Sequence, residues 1–215
     1  MSFNNINILL VDDHELVRCG IEQLLNKDPD INVIAVASTG EQAIHLAKEL
    51  EPDVILIDLN MPGMGGIEAI KYILRANEHA KIIALSVYDD GPVPQQVIAY
   101  GAKGYINKGC PTEELIKAIM MVYQGKRYLS AAVANNLIFS TQTPDQNAFT
   151  RLSNRELQVV TKIVDGHSIT DIADTLSISP KTVNTHRYRA HEKLGINNDI
   201  ELVRLAIDAG LLKNI

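Results

Sequence analysis

The chain has 215 residues, enough for one large or two small domains and for a sizeable buried core. Its hydrophobic share, 46%, is ordinary, and its longest apolar runs are far too short to span a bilayer. Net charge is −6 but unevenly spread: residues 1–150 carry 11 Lys+Arg against 18 Asp+Glu, and residues 151–215 carry 9 against 8. That asymmetry predicts two domains with different partners, while the short apolar runs predict a soluble cytoplasmic protein with no membrane partner. Cys19 and Cys110 are the only cysteines and lack metal-ligand spacing, so they read as thiols of a reducing compartment.

The first apolar run, Ile6 to Val11, ends in Asp12-Asp13. Val17, Ile21, Leu24 and Leu25 then mark one face of a helix. A second run, Ile31 to Ala37, precedes a helix with Ala43, Leu46, Ala47 and Leu50 on its apolar face. Val54 to Ile57 is wholly apolar, lies between Pro52 and the Pro62-Gly63 turn, and ends in Asp58. It reads as a strand buried on both faces. Ile67, Ile70, Ile73 and Leu74 mark the next helix, and Lys81 to Leu85 the next strand. After Asp89-Asp90, Pro92 and Pro94 suit only a helix start, so a short helix is expected. Gly104 to Ile106 is a fifth strand. Thr112 as a cap and Glu113-Glu114 as a first turn open a helix carrying Leu115, Ile116, Ile119, Val122 and Tyr123. This alternation predicts a doubly wound, five-stranded parallel sheet over residues 1–125.

Residues 126–150 read as a linker, with a short helix at Ala131 to Phe139 and a polar stretch over residues 140–150. Residues 151–215 are helical by pattern. Ser153-Asn154-Arg155-Glu156 is a capping box ahead of Leu157, Val160 and Val164, and Gly166 ends that helix. Ile169, Ile172, Ala173 and Leu176 make a short helix. Ser179 caps a longer basic one that starts at Pro180 and stops at Gly195. A short helix, a tight turn and a longer basic helix form a helix-turn-helix pattern. A last helix carries Leu202, Val203 and Ala206, the expected contact of a DNA-bound dimer.

Ligands of open parallel sheets bind beyond the carboxyl ends of the strands. Asp12, Asp13 and Asp58 fall at those ends. Three carboxylates there are costly without a cation, which points to Mg²⁺ or Mn²⁺. Asp13 and Asp58 could ligate it directly, Asp12 through water, and the backbone carbonyl of Asn60 could complete the set. A carboxylate can attack phosphorus, so Asp58 is a candidate phosphoacceptor. Ser86, ending the fourth strand, offers a hydroxyl to the phosphoryl group, and Lys108, after the fifth, an ammonium. Taken singly, Asp12-Asp13 fits a helix cap, Ser86 a turn residue and Lys108 a solvated charge. The agreement of separate strand ends favours a site.

On the helix from Pro180, Val183, Ala190 and Leu194 face the core by spacing. Lys181, Thr182, Asn184, Thr185 and Tyr188 lie on the side open to a major groove. There Asn could pair adenine and Thr meet a thymine methyl. Arg187, Arg189 and Lys193 flank that side and suit phosphates, although a solvated basic face is the plain alternative. His186 suits packing or a phosphate.

Val11-Asp12-Asp13, Ile57 to Gly63, Ser86, and Gly101-Ala102 through Gly104-Tyr105 to Lys108 together resemble the receiver domain of two-component response regulators. The resemblance implies that Asp58 is the phosphoacceptor, Asp12 and Asp13 the acidic pocket, Ser86 and Lys108 the switch residues, and Tyr105 the aromatic that follows Ser86. Gly109 stands where many receivers have Pro. Leu152 to Glu156, Gly166, Ile172-Ala173 and Ser179 to His186 resemble the LuxR-type output domain. The pair of domains defines the NarL/FixJ class, and Ser179 to Arg189 resembles the GacA/UvrY/LetA group within it. That implies a sensor histidine kinase of the BarA/GacS type. It also implies a homodimer on activation, double-stranded DNA at an inverted repeat, and control of small regulatory RNA genes that titrate a CsrA-type repressor. A rival reading is an Asp-nucleophile phosphatase of the haloacid dehalogenase type. Such enzymes need an acid/base Asp two residues after the nucleophile. Asn60 stands there, so the chain is expected to be no enzyme beyond its own phosphorylation and dephosphorylation.

Overall fold

The computed structural model describes residues 5–87, 92–139, 148–176 and 178–209. It divides into two compact units, one around a parallel sheet and one around the C-terminal helices. In the first, strands β1 (Ile6–Val11), β2 (Ile31–Ala37), β3 (Val54–Asp58), β4 (Ile82–Ser86) and β5 (Gly104–Asn107) alternate with helices. These are α1 (Glu15–Leu25), α2 (Gly40–Leu50), α3 (Gly66–Ala76) and α5 (Thr112–Tyr123), and α4 (Pro92–Ala99) lies between β4 and β5 in the chain, divided between the two units at Val97. The α4 helix has eight residues, as its two prolines require. Asp89-Asp90 and most of the polar stretch 140–150 lie outside the described residues.

Every residue of β3 is buried, which is why its sequence is apolar without alternation. Each such Val, Ile or Leu contributes about 1.5–3 kcal/mol by leaving water. The strand order is β2-β1-β3-β4-β5-β6, with β6 at Tyr128–Leu129. The order reverses between β1 and β3, so a crevice opens at their carboxyl ends. Asp12 and Asp58 both fall there.

Three expectations for the first unit need correction. The sheet has six strands, not five. The sixth, β6, pairs parallel with β5 in the stretch expected to be linker. Two residues are too few to show a period. Its hold comes from backbone bonds, Tyr128 N–H to the Lys103 carbonyl and Ser130 N–H to the Tyr105 carbonyl. The Tyr128 hydroxyl also donates to Glu114 at 3.0 Å. Burial and that carboxylate push the Tyr128 phenol up to about 12. The second correction concerns α1, where Leu25 is buried and Ile21 packs on the core, while Val17 and Leu24 remain partly exposed and Leu16 is 89% exposed. Arg18, one turn before Ile21, instead turns its guanidinium to the Asp12 carbonyl at 2.6 Å. Third, α5 begins at Thr112 with Pro111 as N-cap, so Thr112 makes no side-chain cap.

After α6 (Ala131–Phe139) and a 3-10 turn at Phe149–Arg151, four helices form the second unit. They are α7 (Asn154–Val164), α8 (Ile169–Thr175), α9 (Pro180–Leu194) and α10 (Asp199–Asp208). Both capping-box bonds of Ser153 and Glu156 are present, and Ser168 with Asp171 makes a second box that was not foreseen. Ser179 caps α9 with Pro180 in its first turn, and Gly195 ends it in the left-handed region at φ 70°. The core joins Val159, Ile172, Ala173, Leu176 and Val183. Leu202 and Ala206 are also fully buried, so these two side chains of the helix expected to carry the dimer contact belong to the core. The face that α10 leaves open carries Ile200, 71% exposed, and Ile207.

Candidate functional site

Strand β1 delivers Asp12 and Asp13 to the crevice, and β3 delivers Asp58. Asp12 and Asp58 are buried, and Ser86 is fully buried at the end of β4. Lys108 spans the pocket: its Nζ lies 2.7 Å from Asp12 Oδ2 and 2.7 Å from Asp58 Oδ2. Its backbone N–H donates to the Ser86 carbonyl at 2.8 Å, which ties the turn after β5 to the end of β4. The other Asp58 oxygen accepts from Asn60 N–H at 3.0 Å. Where a proline is common in receivers, Gly109 N–H donates to the Asn107 side chain at 2.7 Å and closes the turn.

Burial pushes the Asp58 carboxyl above its ordinary range, and the Asp12 charge adds to that. Lys108 and the Asn60 N–H oppose the shift without cancelling it. Burial pulls the Lys108 ammonium down, but the two carboxylates outweigh it and hold it above its usual value. One ammonium against three carboxylates leaves the pocket with an excess of negative charge. Ligand atoms of Asp12, Asp13, His14 and Asp58 lie within 4.8 Å of one another, a spacing fit for one cation. His14 was not foreseen; its Nδ1 is 3.0 Å from Asp13 Oδ1, and its backbone N–H donates to Asp12 Oδ1. Its position directly after Asp13 was the available signal. Tyr105 is fully buried beside this edge, its side chain turned into the protein.

On α9, Lys181, Thr185, Tyr188 and Arg189 are exposed, and Asn184 is half-buried. The Asn184 amide donates to the Pro180 carbonyl at 3.2 Å, and the Thr185 hydroxyl to that of Lys181 at 2.9 Å. The Ser179 and Thr182 hydroxyls lie 2.8 Å apart. Such exposed bonds are worth about 1 kcal/mol and exchange readily for a base or phosphate. Two of the expected phosphate contacts also have protein partners. Arg187 pairs with Asp199, and Lys193 with Glu156 at 2.6 Å. His186 is partly buried, and burial, with Arg155 and Arg189 nearby, holds its imidazole below the usual range.

Glu156 is almost fully buried. Burial pushes its carboxyl up, but Lys193 and the two Ser153 donors outweigh this and hold it below the ordinary range. A depressed carboxylate stabilises above its unfolded pKa, and the contribution is lost as pH falls through the folded value. Lys193→Met should therefore destabilise the helical unit by roughly 1–3 kcal/mol at pH 7, since Glu156 loses its charge partner. It should also flatten the acid-side loss of stability. Thermal unfolding of the full chain between pH 3 and pH 7 checks both; parallel curves for variant and wild type would contradict the pairing.

Sequence comparison agrees with this layout. Residues 8–120 match the response regulator receiver domain, and residues 150–206 match the bacterial regulatory proteins of the luxR family. The chain therefore belongs to the two-component response regulators that join a receiver to a LuxR-type DNA-binding domain. It is 44% identical to the response regulator UvrY of Escherichia coli K12, over 96% of this chain and 95% of that protein. It is 42% identical to the response regulator GacA of Pseudomonas aeruginosa PAO1, over 96% of this chain and 98% of that one. Among solved structures, RcsB of Salmonella enterica serovar Typhimurium, bound to promoter P1flhDC with the phosphomimetic BeF3−, superimposes with a TM-score of 0.65. It is 30% identical, over 94% of this chain and 98% of RcsB.

Proposed function

We propose that Asp58 accepts a phosphoryl group from a sensor histidine kinase, and that the phosphorylated chain binds promoter DNA as a dimer. The observation that carries this reading is the buried Asp58 carboxylate, held by Lys108 beside Asp12 and Asp13. An Asp58 oxygen attacks phosphorus; the new P–O bond forms as the bond to the donor imidazole breaks, and that imidazole leaves with a proton. Asp13, Asp58 and the Asn60 carbonyl would hold Mg²⁺ or Mn²⁺ beside Asp12. A cation bound there would offset the negative charge of the phosphoryl group during transfer. Lys108 adds the second positive group. Ser86 then bonds the phosphoryl group, and Tyr105 follows it, so that the edge formed by β4 and β5 is the switch. With Asn60 in place of an acid/base Asp, the chain holds the group rather than turning over substrates.

Asn184, Thr182, Thr185 and Tyr188 read base edges, while Lys181, Arg187 and Arg189 meet phosphates. Lys193 serves the fold first, through Glu156. A two-fold dimer on an inverted repeat uses the open face of α10, at Ile200 and Ile207. The resemblance to UvrY and GacA favours a BarA/GacS-type kinase, promoters of small regulatory RNA genes, and a cytoplasmic setting.

Two outcomes test the sites. At ten times its Kd, Mg²⁺ should stabilise the full chain by about 1.4 kcal/mol, a few degrees in Tm. Asp13→Asn should abolish that rise, and an unchanged rise in the variant would remove Asp13 from the metal site. Asn184→Ala combined with Arg187→Ala should weaken promoter binding in a mobility-shift titration by tenfold or more, at about 1–3 kcal/mol per lost base contact. Unchanged binding would place the DNA surface elsewhere.

A further inference from the structure

Arg187, on the recognition helix, is gripped from the side by Asp199 in the first turn of α10. Its Nε donates to Asp199 Oδ1 at 2.8 Å, and its Nη2 lies 2.7 Å from Oδ2. His191, buried one turn further along α9, places Nε2 3.1 Å from the same Oδ1. The side-on pairing occupies two of the three guanidinium nitrogens and leaves the Nη1 edge without a bond among the described residues. The Arg187 side chain is 26% exposed, so part of it is within reach of solvent.

We propose that Asp199 is a positioning residue for DNA binding: it fixes the Arg187 guanidinium so that the Nη1 edge faces a backbone phosphate. The proposal rests on the DNA-binding reading of α9. An arginine held in one rotamer meets its phosphate without giving up the conformational freedom that a loose side chain loses. A carboxylate near DNA would ordinarily repel it. Here the repulsion is blunted because Asp199 stands at the positive end of α10 and is already paired with Arg187. The same carboxylate joins the DNA-facing helix to the helix with the open apolar face, so the angle between α9 and α10 is held by a charge pair.

The sign of one substitution separates this role from simple neutralisation. Binding of the full chain, phosphorylated beforehand with acetyl phosphate and Mg²⁺, to a random-sequence 40-bp duplex is measured by fluorescence anisotropy over about 50–200 mM salt, because phosphate contacts do not depend on sequence. Arg187→Ala should flatten the log–log salt slope by about 1, the loss of one phosphate contact. Asp199→Ala should weaken binding several-fold and flatten the slope in the same direction. Asp199→Asn, which keeps the shape and one acceptor, should fall between, and the double variant Asp199→Ala/Arg187→Ala should match Arg187→Ala. Tighter binding by Asp199→Ala would show that Asp199 only neutralises Arg187 and would overturn the proposal. So would an Asp199→Ala defect that persists in full without Arg187, or an Arg187→Ala chain that binds as wild type. Failure of the wild-type chain to bind the duplex at all would instead defeat the DNA-binding reading itself.

Discussion

Incubated with radiolabelled acetyl phosphate and Mg²⁺, the wild-type chain should take up about one phosphoryl group per molecule, and Asp58→Ala should take up none. The pocket holds three carboxylates, but they are not equivalent. Asp12 is fully buried, with one oxygen against Lys108 and the other receiving the His14 N–H, while its backbone carbonyl receives Arg18. Asp13 faces His14. Asp58 alone ends the central strand β3, opposite Lys108 and beside the end of β4. Label retained in Asp58→Ala would assign the chemistry to another carboxylate. Many turnovers on phosphate esters would favour the haloacid dehalogenase-type reading, which Asn60 disfavours because an amide cannot exchange the proton that turnover requires.

Gly66→Ala should cost the receiver roughly 3 kcal/mol or more, a large part of the 5–15 kcal/mol that holds a typical domain together. A methyl at Gly66 would lie 1.9 Å from the Asp58 carbonyl oxygen and 2.8 Å from both the Asp58 carbonyl carbon and Leu59 Cα. All three neighbours are backbone, so no side chain can swing aside. Helix α3 starts against the end of β3, with the Gly66 N–H donating to the Leu59 carbonyl at 3.2 Å. The loop that presents Asp58 therefore closes only over a bare α-carbon. Relief of the clash would shift Asp58 as well, so the variant should lose both stability and phosphoryl uptake. Chemical denaturation measures the first; a midpoint equal to wild type would show that the loop relaxes freely.

Asp58 was visible in the sequence because β3 is buried on both faces, which leaves a carboxylate at its end conspicuous. The same holds for Asp12-Asp13 after β1, and strand ends can be read without knowing which strands pair. Helix caps were legible for a similar reason: Ser153, Ser179 and Gly195 act within a few residues of themselves. What could not be read were contacts made only by the fold. Lys193 meets Glu156 from 37 residues away, and Arg187 meets Asp199 from 12. Both cations therefore looked like free phosphate ligands. Strand β6 was hidden by its length. The faces of α1 and α10 were misassigned because an apolar spacing marks a stripe but not its width. In α10, Leu202 and Ala206 turned inward and left Ile200 and Ile207 outside.

The central claim is that phosphorylation at Asp58 governs DNA occupancy by the second domain. A genome-wide occupancy map in the cell of origin, comparing wild type with Asp58→Ala at equal protein levels, tests it most directly. The account predicts discrete wild-type sites sharing a two-fold symmetric sequence, with occupancy lost or sharply reduced in the variant. The same sites at the same heights in both maps would contradict it.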